Sequence, residues 1–224
     1  MVTTGRTLDA DGQPIPGTGF ELDPDGELAG ILARRVGALA SHPTRSVWTA
    51  LLPESEENPD TLRSVGIFGP GFDGPPEHYH IRSEERFAVV GGTVRFRIDG
   101  RTERVTAGET ITVRPYERHS FTVEGDEPCY MLVDIDSPGR LRHVLPTLSG
   151  LAHDEAMDSD TPLQQVIIAQ QLSENTVFTE LDPRLTRPLC SVLAPIARLR
   201  GYQGAYDKYT RETFWERHVE QPAL

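Results

Sequence analysis

Three histidines and one glutamate are the residues of this chain whose types and spacing could do metal chemistry. His78 and His80 are separated by one residue, Glu85 follows shortly after, and His119 lies further along. Three neutral imidazoles and one carboxylate suit a divalent first-row transition metal, namely iron, manganese, nickel, copper, cobalt or zinc. Such an ion would keep a net charge near +1 and could bind and polarise an anionic oxygen of a substrate.

Extended backbone would bring the histidines to the interior of a sheet structure. Successive side chains of a strand alternate between its two faces, so His78 and His80 point the same way if the segment is extended. The Gly-Pro-Pro run at residues 74–76 argues against a helix there. His119 opens a further predicted strand over 119–123, on the same face as the apolar residues that follow it. We therefore expect all three imidazoles on inward strand faces.

The carboxylate opens the next predicted strand, over residues 85–90. In that strand Glu85 shares a face with Phe87 and Val89, whereas Arg86 lies on the other. Residues 93–98 also alternate between apolar and polar types, and the Asp-Gly pair after them is a strong hairpin signal. Other strands are predicted at 46–52, 62–68, 111–113 and 129–134.

The ordered set of these residues resembles the cupin superfamily. The first motif of that family is an H-x-H pair, a glutamate a few residues later, and a glycine after six more residues; the second is a glycine, a proline and a histidine. The matching residues of this chain are His78, His80, Glu85 and Gly92 in the first motif, and Gly108, Pro115 and His119 in the second. Glu84 with Gly91 also satisfies the first motif. We prefer Glu85 because it falls on the apolar face.

The resemblance implies a mainly β fold, the double-stranded β-helix or jelly-roll barrel of cupins, over residues 45–136. It also implies a homodimer, since barrels of this type often pair through sheet edges. Phe72 and Tyr116 stand where cupins have turn glycines, and the asparagine that often follows the third histidine of the family is missing, so we expect loops of a different shape. The apolar residues on inward faces would line a substrate pocket or simply form barrel core. The candidate pocket residues are Phe87, Val89, Phe96, Phe121 and Tyr116.

The function implied by the resemblance is that of a metal-dependent enzyme acting on a small organic substrate. Cupins with this ligand set include dioxygenases, oxalate-type enzymes, isomerases and lyases. We favour a dioxygenase-type oxidoreductase acting on an enol, diketone, phenolic or carboxylate compound, with Glu85 both as a ligand and as a general base. The alternatives are a metal-dependent isomerase or lyase, and a non-catalytic module that binds a metal or a small molecule.

The segments on either side of the predicted barrel read differently from it. Residues 1–44 form an irregular arm followed by apolar residues at helical spacing, which predicts a helix over 26–40, with a strand as the alternative. The pattern of residues 137–224 predicts that they form a helical extension, which packs on the barrel or on a dimer partner. Helix starts are indicated by Thr161-Pro162 and Asp182-Pro183.

Bulk properties limit the classes of partner. The chain has 224 residues, 37% of them hydrophobic and 25% charged, with a net charge of −12. An excess of acids disfavours nucleic acid and anionic membranes, which are bound through Lys and Arg patches. The first residues contain no apolar signal segment and no apolar run is long enough to span a membrane. We therefore expect a cytoplasmic location by default.

Overall fold

The computed structural model describes residues 1–55, 58–154, 161–179 and 183–224. Its strands are, in chain order, β1 (Val2–Thr4), β2 (Phe20–Leu22), β3 (Val36–Ser41), β4 (Val47–Leu51), β5 (Thr61–Phe68), β6 (His78–His80), β7 (Glu85–Gly91), β8 (Thr93–Ile98), β9 (Arg101–Thr106), β10 (Thr110–Val113), β11 (His119–Val123), β12 (Cys129–Asp136) and β13 (Thr176–Phe178). Its helices are α1 (Glu27–Leu32), α2 (Leu141–His153), α3 (Pro162–Leu172), α4 (Pro183–Leu199) and α5 (Glu212–His218), with a short 3₁₀ helix at Asp207–Thr210.

Two antiparallel sheets face each other and enclose one of two apolar cores. One sheet has six strands in the order β10-β7-β12-β5-β4-β3, and the other has five in the order β13-β6-β11-β8-β9. A single apolar cluster lies between them, with Phe87 and Met131 from the first sheet against Phe96 and Val123 from the second. The predicted mainly β, jelly-roll architecture is confirmed, and helices follow it in the C-terminal third as predicted.

The hairpin of β8 and β9 illustrates how local sequence forms these sheets. Along β8 the apolar residues are buried and the arginines between them are exposed, as the alternation predicts. The turn that follows uses Asp99 and Gly100, whose φ angles are 47° and 77°. A two-residue turn with both φ angles positive matches the twist of the adjoining strands, which is why an Asp-Gly pair suits it.

A second core lies on the outer face of the six-stranded sheet. Segments from both ends of the chain cover that face, and Trp48 and Ile67 of the sheet share one buried cluster with Leu151 and Tyr209 of the helical region. The Trp48 indole donates a hydrogen bond to the Gly5 carbonyl over 2.7 Å, which ties the N-terminal arm to the sheet. Within the described ranges, no helix is long and apolar enough to cross a membrane.

The helix predicted over residues 26–40 is only partly present. Helix α1 ends at Leu32, and β3 occupies the second half of the predicted range. Gly37 has a φ angle of 83°, which a right-handed helix cannot accommodate. Pairing of β3 with β4, which sets Ser41 opposite Trp48, satisfies the backbone instead. The apolar spacing was compatible with both structures, and pairing with a neighbouring strand decides between them.

Both proline-marked helix starts coincide with helices of the structure. Helix α3 begins at Pro162 after Thr161, and α4 begins at Pro183. Asp182 lies outside the described residues. The strand that the hairpin signal implied after Gly100 is present as β9, whose first four residues are all exposed. Sequence patterns did not predict the three-residue strand β13.

Candidate metal centre

The four predicted ligands come from three strands and meet between the two sheets. His78 and His80 are the two ends of β6, and both side chains are buried. His119 opens β11 directly opposite His78, with ring centroids 4.3 Å apart. Glu85 opens β7 in the other sheet and reaches across the gap between the sheets. Alternation along the strands therefore directs all four side chains to one point, as the spacing predicted.

Glu85 contacts two of the imidazoles directly. Its Oε2 lies 2.9 Å from Nε2 of His119, and its Oε1 lies 3.1 Å from Nε2 of His80. Each of the four residues can offer one ligand atom, and these atoms all lie within 4.8 Å of one another. The side chains are withdrawn from solvent, with exposed fractions of 7% for His78, 2% for His80, 6% for Glu85 and 1% for His119.

The second ring nitrogen, Nδ1, of each imidazole forms a hydrogen bond with a group outside the cluster. Hydrogen bonds at Nδ1 fix ring orientation and leave Nε2 pointing to the centre, which is the usual way a ligand histidine is held. The three contacts are His78 Nδ1 to the Pro76 carbonyl at 2.8 Å, His119 Nδ1 to the Glu117 carbonyl at 3.0 Å, and His80 Nδ1 to the Thr176 hydroxyl at 3.1 Å.

Burial and the close contacts between Glu85 and the imidazoles shift the pKa values of these side chains in different directions. Burial favours a neutral acid at Glu85, but the hydrogen bond from His119 and the electrostatic attraction of the nearby His80 imidazole outweigh it and hold the pKa of Glu85 well below its usual range. Burial lowers the pKa of His119, yet the Glu85 carboxylate more than offsets this and raises it overall. Burial, together with the charge of His119, lowers the pKa of His78 to about 4. The metal-free cluster thus contains a carboxylate, a neutral imidazole at position 78, and an imidazole at 119 that favours its protonated form.

This donor set fits a divalent metal ion. Nε2 of His80 is buried without a partner in hydrogen-bond geometry, which is costly unless something else occupies that position. Metal–nitrogen bonds of about 2.0–2.1 Å keep ligand atoms within about 4 Å of each other. The described atoms could therefore reach a common ion after a contraction of under about 1 Å. The four residues would act as its ligands.

The two candidate glutamates occupy different environments. Glu85 is 6% exposed and belongs to the cluster, whereas Glu84 is exposed. The Glu84 backbone carbonyl accepts a hydrogen bond from Asp136 over 2.9 Å, so the residue before the ligand is tied to β12. The carboxylate available to a metal is that of Glu85.

The five candidate pocket residues separate into two groups. Phe87, Val89, Phe96 and Phe121 are all buried in the cluster between the sheets. The rings of Phe87 and Phe96 lie 5.0 Å apart, and those of Phe96 and Phe121 lie 5.6 Å apart, so these side chains contact one another. Their role as a pocket wall stays a prediction.

Tyr116, the fifth candidate, lies on the surface with an exposed fraction of 64%. Its φ angle is 68°, the left-handed conformation that the glycine expected at this position would adopt without strain. Its backbone N–H donates to the His80 carbonyl over 2.7 Å, which anchors the loop before His119 to the strand that carries two ligands.

A cavity of about 530 Å³ lies beside the cluster rather than within it. Its walls include Arg82, Arg140 and His143 together with Asn175 and Thr176, and none of the four candidate ligands lines it. Thr176 joins the two regions because it also contacts His80. We assign the functional site from the converging ligand atoms, since the cavity lacks a comparable donor set.

Comparison with known proteins agrees with this geometry. Residues 64–135, the segment that contains all four candidate ligands, match the family model described as a cupin domain. We identify residues 64–135 as a cupin domain. Its cupin segment supplies most of both sheets, whereas the N-terminal arm, β13 and helices α2 to α5 lie outside the matched residues.

Three similar solved structures each cover less than half of this chain. KdgF from Halomonas sp. is 20% identical over 39% of this chain and 77% of its own, with a TM-score of 0.34. An RmlC-like cupin from Shewanella frigidimarina is 18% identical over 44% and 82%, with a TM-score of 0.38. The Cnp3 cupin domain of Schizosaccharomyces pombe is 17% identical over 46% and 72%, with a TM-score of 0.36.

Residues 175 and 176 adjoin the site and were missed by the sequence patterns. Thr176 contacts His80, and Asn175 hydrogen-bonds the loop that leads from His80 to Glu85. The run of β-branched and aromatic residues over 176–178 is the one signal that could have predicted a strand there. Its contact with β6 could not be predicted because nearly a hundred residues separate the two strands.

Proposed function

We propose that this cupin is a metal-dependent enzyme that acts on a small organic substrate, and that its reaction is of the dioxygenase type. The observation that carries the proposal is the convergence of three imidazole nitrogens and a carboxylate to within 4.8 Å of one another in a buried site. Buried charges and unpaired polar atoms are costly in a protein interior, so a cluster like this favours a functional role over a structural one.

His78, His80, Glu85 and His119 would hold the ion. A redox-active divalent metal bound there would supply a Lewis-acidic position for a substrate oxygen and a route for electrons from the substrate, which is oxidised, to dioxygen, which is reduced. Redox-inert zinc would instead favour isomerase or lyase chemistry. Ligand type alone does not choose between these metals, because relative affinity and supply also decide which is bound.

Glu85 is the best candidate to move a proton. It is the only buried carboxylate within the described residues. A carboxylate oxygen that is not engaged as a ligand could accept a proton from an enol or phenol group of the substrate. We therefore assign Glu85 the roles of ligand and general base.

Apolar side chains next to the ligands would keep the site dry. Phe178 packs against His78 with ring centroids 5.7 Å apart, and the buried Phe87 and Phe121 belong to the core between the sheets. Excluding water strengthens electrostatic interactions with a bound substrate and favours partly aromatic or aliphatic compounds. This environment supports an enol, diketone or phenolic substrate over a highly polar one.

Oxygen uptake tests the proposal most directly. The protein is loaded separately with iron, manganese, nickel, copper, cobalt or zinc and is supplied with a panel of diketones, flavonols and catechols. We expect uptake with at least one redox-active metal and none with zinc, and we expect His119→Ala to abolish it. No uptake with any metal and substrate, in protein that binds metal, would overturn the dioxygenase assignment.

We also propose that the chain is a homodimer. Edge strands of the two sheets, β3 and β9 among them, offer backbone groups to a second copy. Helix α4 adds support, because it buries the small Ala194 and Ala197 while four of its larger apolar side chains are exposed. Those side chains are Leu189 at 55%, Val192 at 68%, Ile196 at 44% and Leu199 at 88% exposed.

A further inference from the structure

We propose that residues 175–178, which lie outside the cupin-matched segment, are part of the metal centre, with Thr176 as the residue that positions His80. This inference rests on the metal binding proposed above. It goes beyond the ligand set because it assigns a role to the C-terminal extension. The sequence alone did not predict how that extension contacts the site. The support comes from strand pairing, from the Thr176 hydroxyl, and from the polar contacts of Asn175.

Strand β13 is the main partner of the strand that carries two ligands. Three successive residue pairs join β13 to β6, with Thr176 opposite His80 and Phe178 opposite His78. On its other side β6 pairs with β11 through a single pair, His78 with His119. Backbone hydrogen bonds continue the pairing beyond both ends, from Ile81 N–H to the Asn175 carbonyl and from the Thr179 N–H to the Glu77 carbonyl. The appended strand therefore fixes the backbone positions of both β6 ligands.

The Thr176 hydroxyl acts on one ligand directly. Its Oγ1 lies 3.1 Å from Nδ1 of His80, and the exposed fractions of Thr176 and His80 are 4% and 2%. For Nε2 of His80 to give its lone pair to a metal, Nδ1 must carry the proton and needs an acceptor. In so dry a place that acceptor is the hydroxyl oxygen, so Thr176 sets both the tautomer and the ring orientation.

Asn175 fastens the connection from His80 to Glu85. Its Oδ1 accepts a hydrogen bond from the Arg82 backbone N–H over 2.9 Å, and its Nδ2 donates to the Ser83 hydroxyl over 2.6 Å. Ser83, which is 1% exposed, donates in turn to the Ser137 carbonyl over 2.9 Å. This buried chain of contacts holds the two ligands at fixed separation from a residue about 90 positions away in sequence.

The decisive comparison is between Thr176→Ala and Thr176→Ser, which differ from each other by one hydroxyl. The Zn²⁺ dissociation constant of each is measured by competition with a chromophoric chelator. We expect Thr176→Ala to bind about 10- to 100-fold more weakly than the parent protein, as for other lost contacts to a ligand histidine. Thr176→Ser should stay within about threefold of the parent, since it keeps the acceptor.

Thr179→Ala is the matched control. Thr179 bonds the backbone and side chain of Glu77 and touches no ligand. We expect its Zn²⁺ affinity to stay within about threefold of the parent value. If Thr176→Ala does not fold, Thr176→Val serves in its place, because valine keeps the branched shape of threonine without the hydroxyl.

A second readout reports the proton itself. In the Zn²⁺-loaded parent protein, two-bond ¹H–¹⁵N correlation spectra should show His80 protonated at Nδ1 and slow exchange of that proton with water. Thr176→Val should speed this exchange, and Thr179→Ala should leave it unchanged. A purely structural role of Thr176 would lower thermal stability without changing the exchange of this one proton.

The outcomes separate this inference from the proposed function. Equal Zn²⁺ affinity and equal proton exchange in Thr176→Ala or Thr176→Val and in the parent would overturn the positioning role while leaving metal binding intact. A parent protein that binds no metal would overturn both.

Discussion

At the scale of single residues, the centre depends most on Glu85, which contacts two of the three imidazoles through its two oxygens. Each of those two imidazoles contacts one carboxylate oxygen, and the Glu85 carboxylate raises the pKa of His119. Changing Glu85 should therefore alter the protonation of its neighbours as well as metal affinity.

Glu85→Gln should lower the pKa of His119 in the metal-free protein. Burial favours neutral His119, and the Glu85 charge is what raises the pKa above the ordinary value of 6.5. Without that charge burial is opposed only by the hydrogen bond to the Glu117 carbonyl and by the Glu117 charge, so the pKa should fall. NMR titration of the His119 ring measures it. Glu84→Gln, at the exposed neighbour, should leave the titration unchanged, and an unaltered His119 pKa in Glu85→Gln would contradict the pairing.

His78 should make the metal-free protein sensitive to acid. Its pKa is lowered from 6.5 to about 4, so the folded state resists charging this ring. The resulting stability is fully present above pH 6.5 and is lost as the pH falls towards about 4, amounting to about 3 kcal/mol at most. Urea unfolding of His78→Gln across this range should show a weaker dependence on pH than the parent.

Two further histidines complete the design of that experiment. The pKa of His153 is also lowered to about 4 by burial, so part of the acid sensitivity should persist in His78→Gln. His143 lies exposed on α2 and serves as the control position. Identical pH profiles for His78→Gln and the parent would show that His78 does not stay neutral in the folded state.

At the scale of elements, local pattern predicted the ligand-bearing strands well. Alternation of side chains is a property of the strand itself, so a spacing of two residues is enough to place His78 and His80 on one face. The same pattern could not separate core from pocket, because Phe96 and Phe121 alternate inward in either case. It also could not find Thr176, whose contact with His80 spans 96 positions and depends on how the extension packs.

Gly92 tests whether the turn between β7 and β8 demands glycine. Its φ angle is 79°, and a Cβ there would lie 2.4 Å from the Pro128 carbonyl oxygen. Gly125 has a similar φ angle of 86° but open space around it. Gly125→Ala should cost about 1 kcal/mol in unfolding free energy from backbone strain alone. Gly92→Ala should cost at least about 2 kcal/mol more, because backbone atoms must also move. Equal losses in denaturant unfolding would contradict the clash.

At the scale of the whole molecule, the fold has three layers: the helices, the six-stranded sheet and the five-stranded sheet. One core lies in each gap between layers, and the candidate ligands belong to the gap between the sheets. The helical layer is connected to the ligands through β13, which joins the five-stranded sheet after α3. The extension therefore packs on one sheet and completes the other.

The exposed apolar side chains of α4 predict self-association of the whole molecule. Multi-angle light scattering should give about twice the chain mass of 24.8 kDa. Replacing Val192 and Ile196 by glutamate should shift the protein towards the monomer if α4 contributes to the contact, because buried unpaired charges are costly. The substitution Arg101→Glu, at an exposed position on the edge strand β9, tests separately whether the sheet edge contributes to the dimer contact. A monomer in the parent protein would contradict the homodimer.

The metal content of the purified protein tests the central claim most directly. Protein prepared without added metal and analysed by elemental mass spectrometry, then titrated with Zn²⁺ or Mn²⁺, should bind one ion per chain. His80→Ala and Glu85→Gln should bind far more weakly while keeping the fold by circular dichroism, and Glu84→Gln should bind like the parent. Absence of a bound ion in the parent under all these conditions, or an unchanged affinity in His80→Ala, would contradict the assignment of the four ligands.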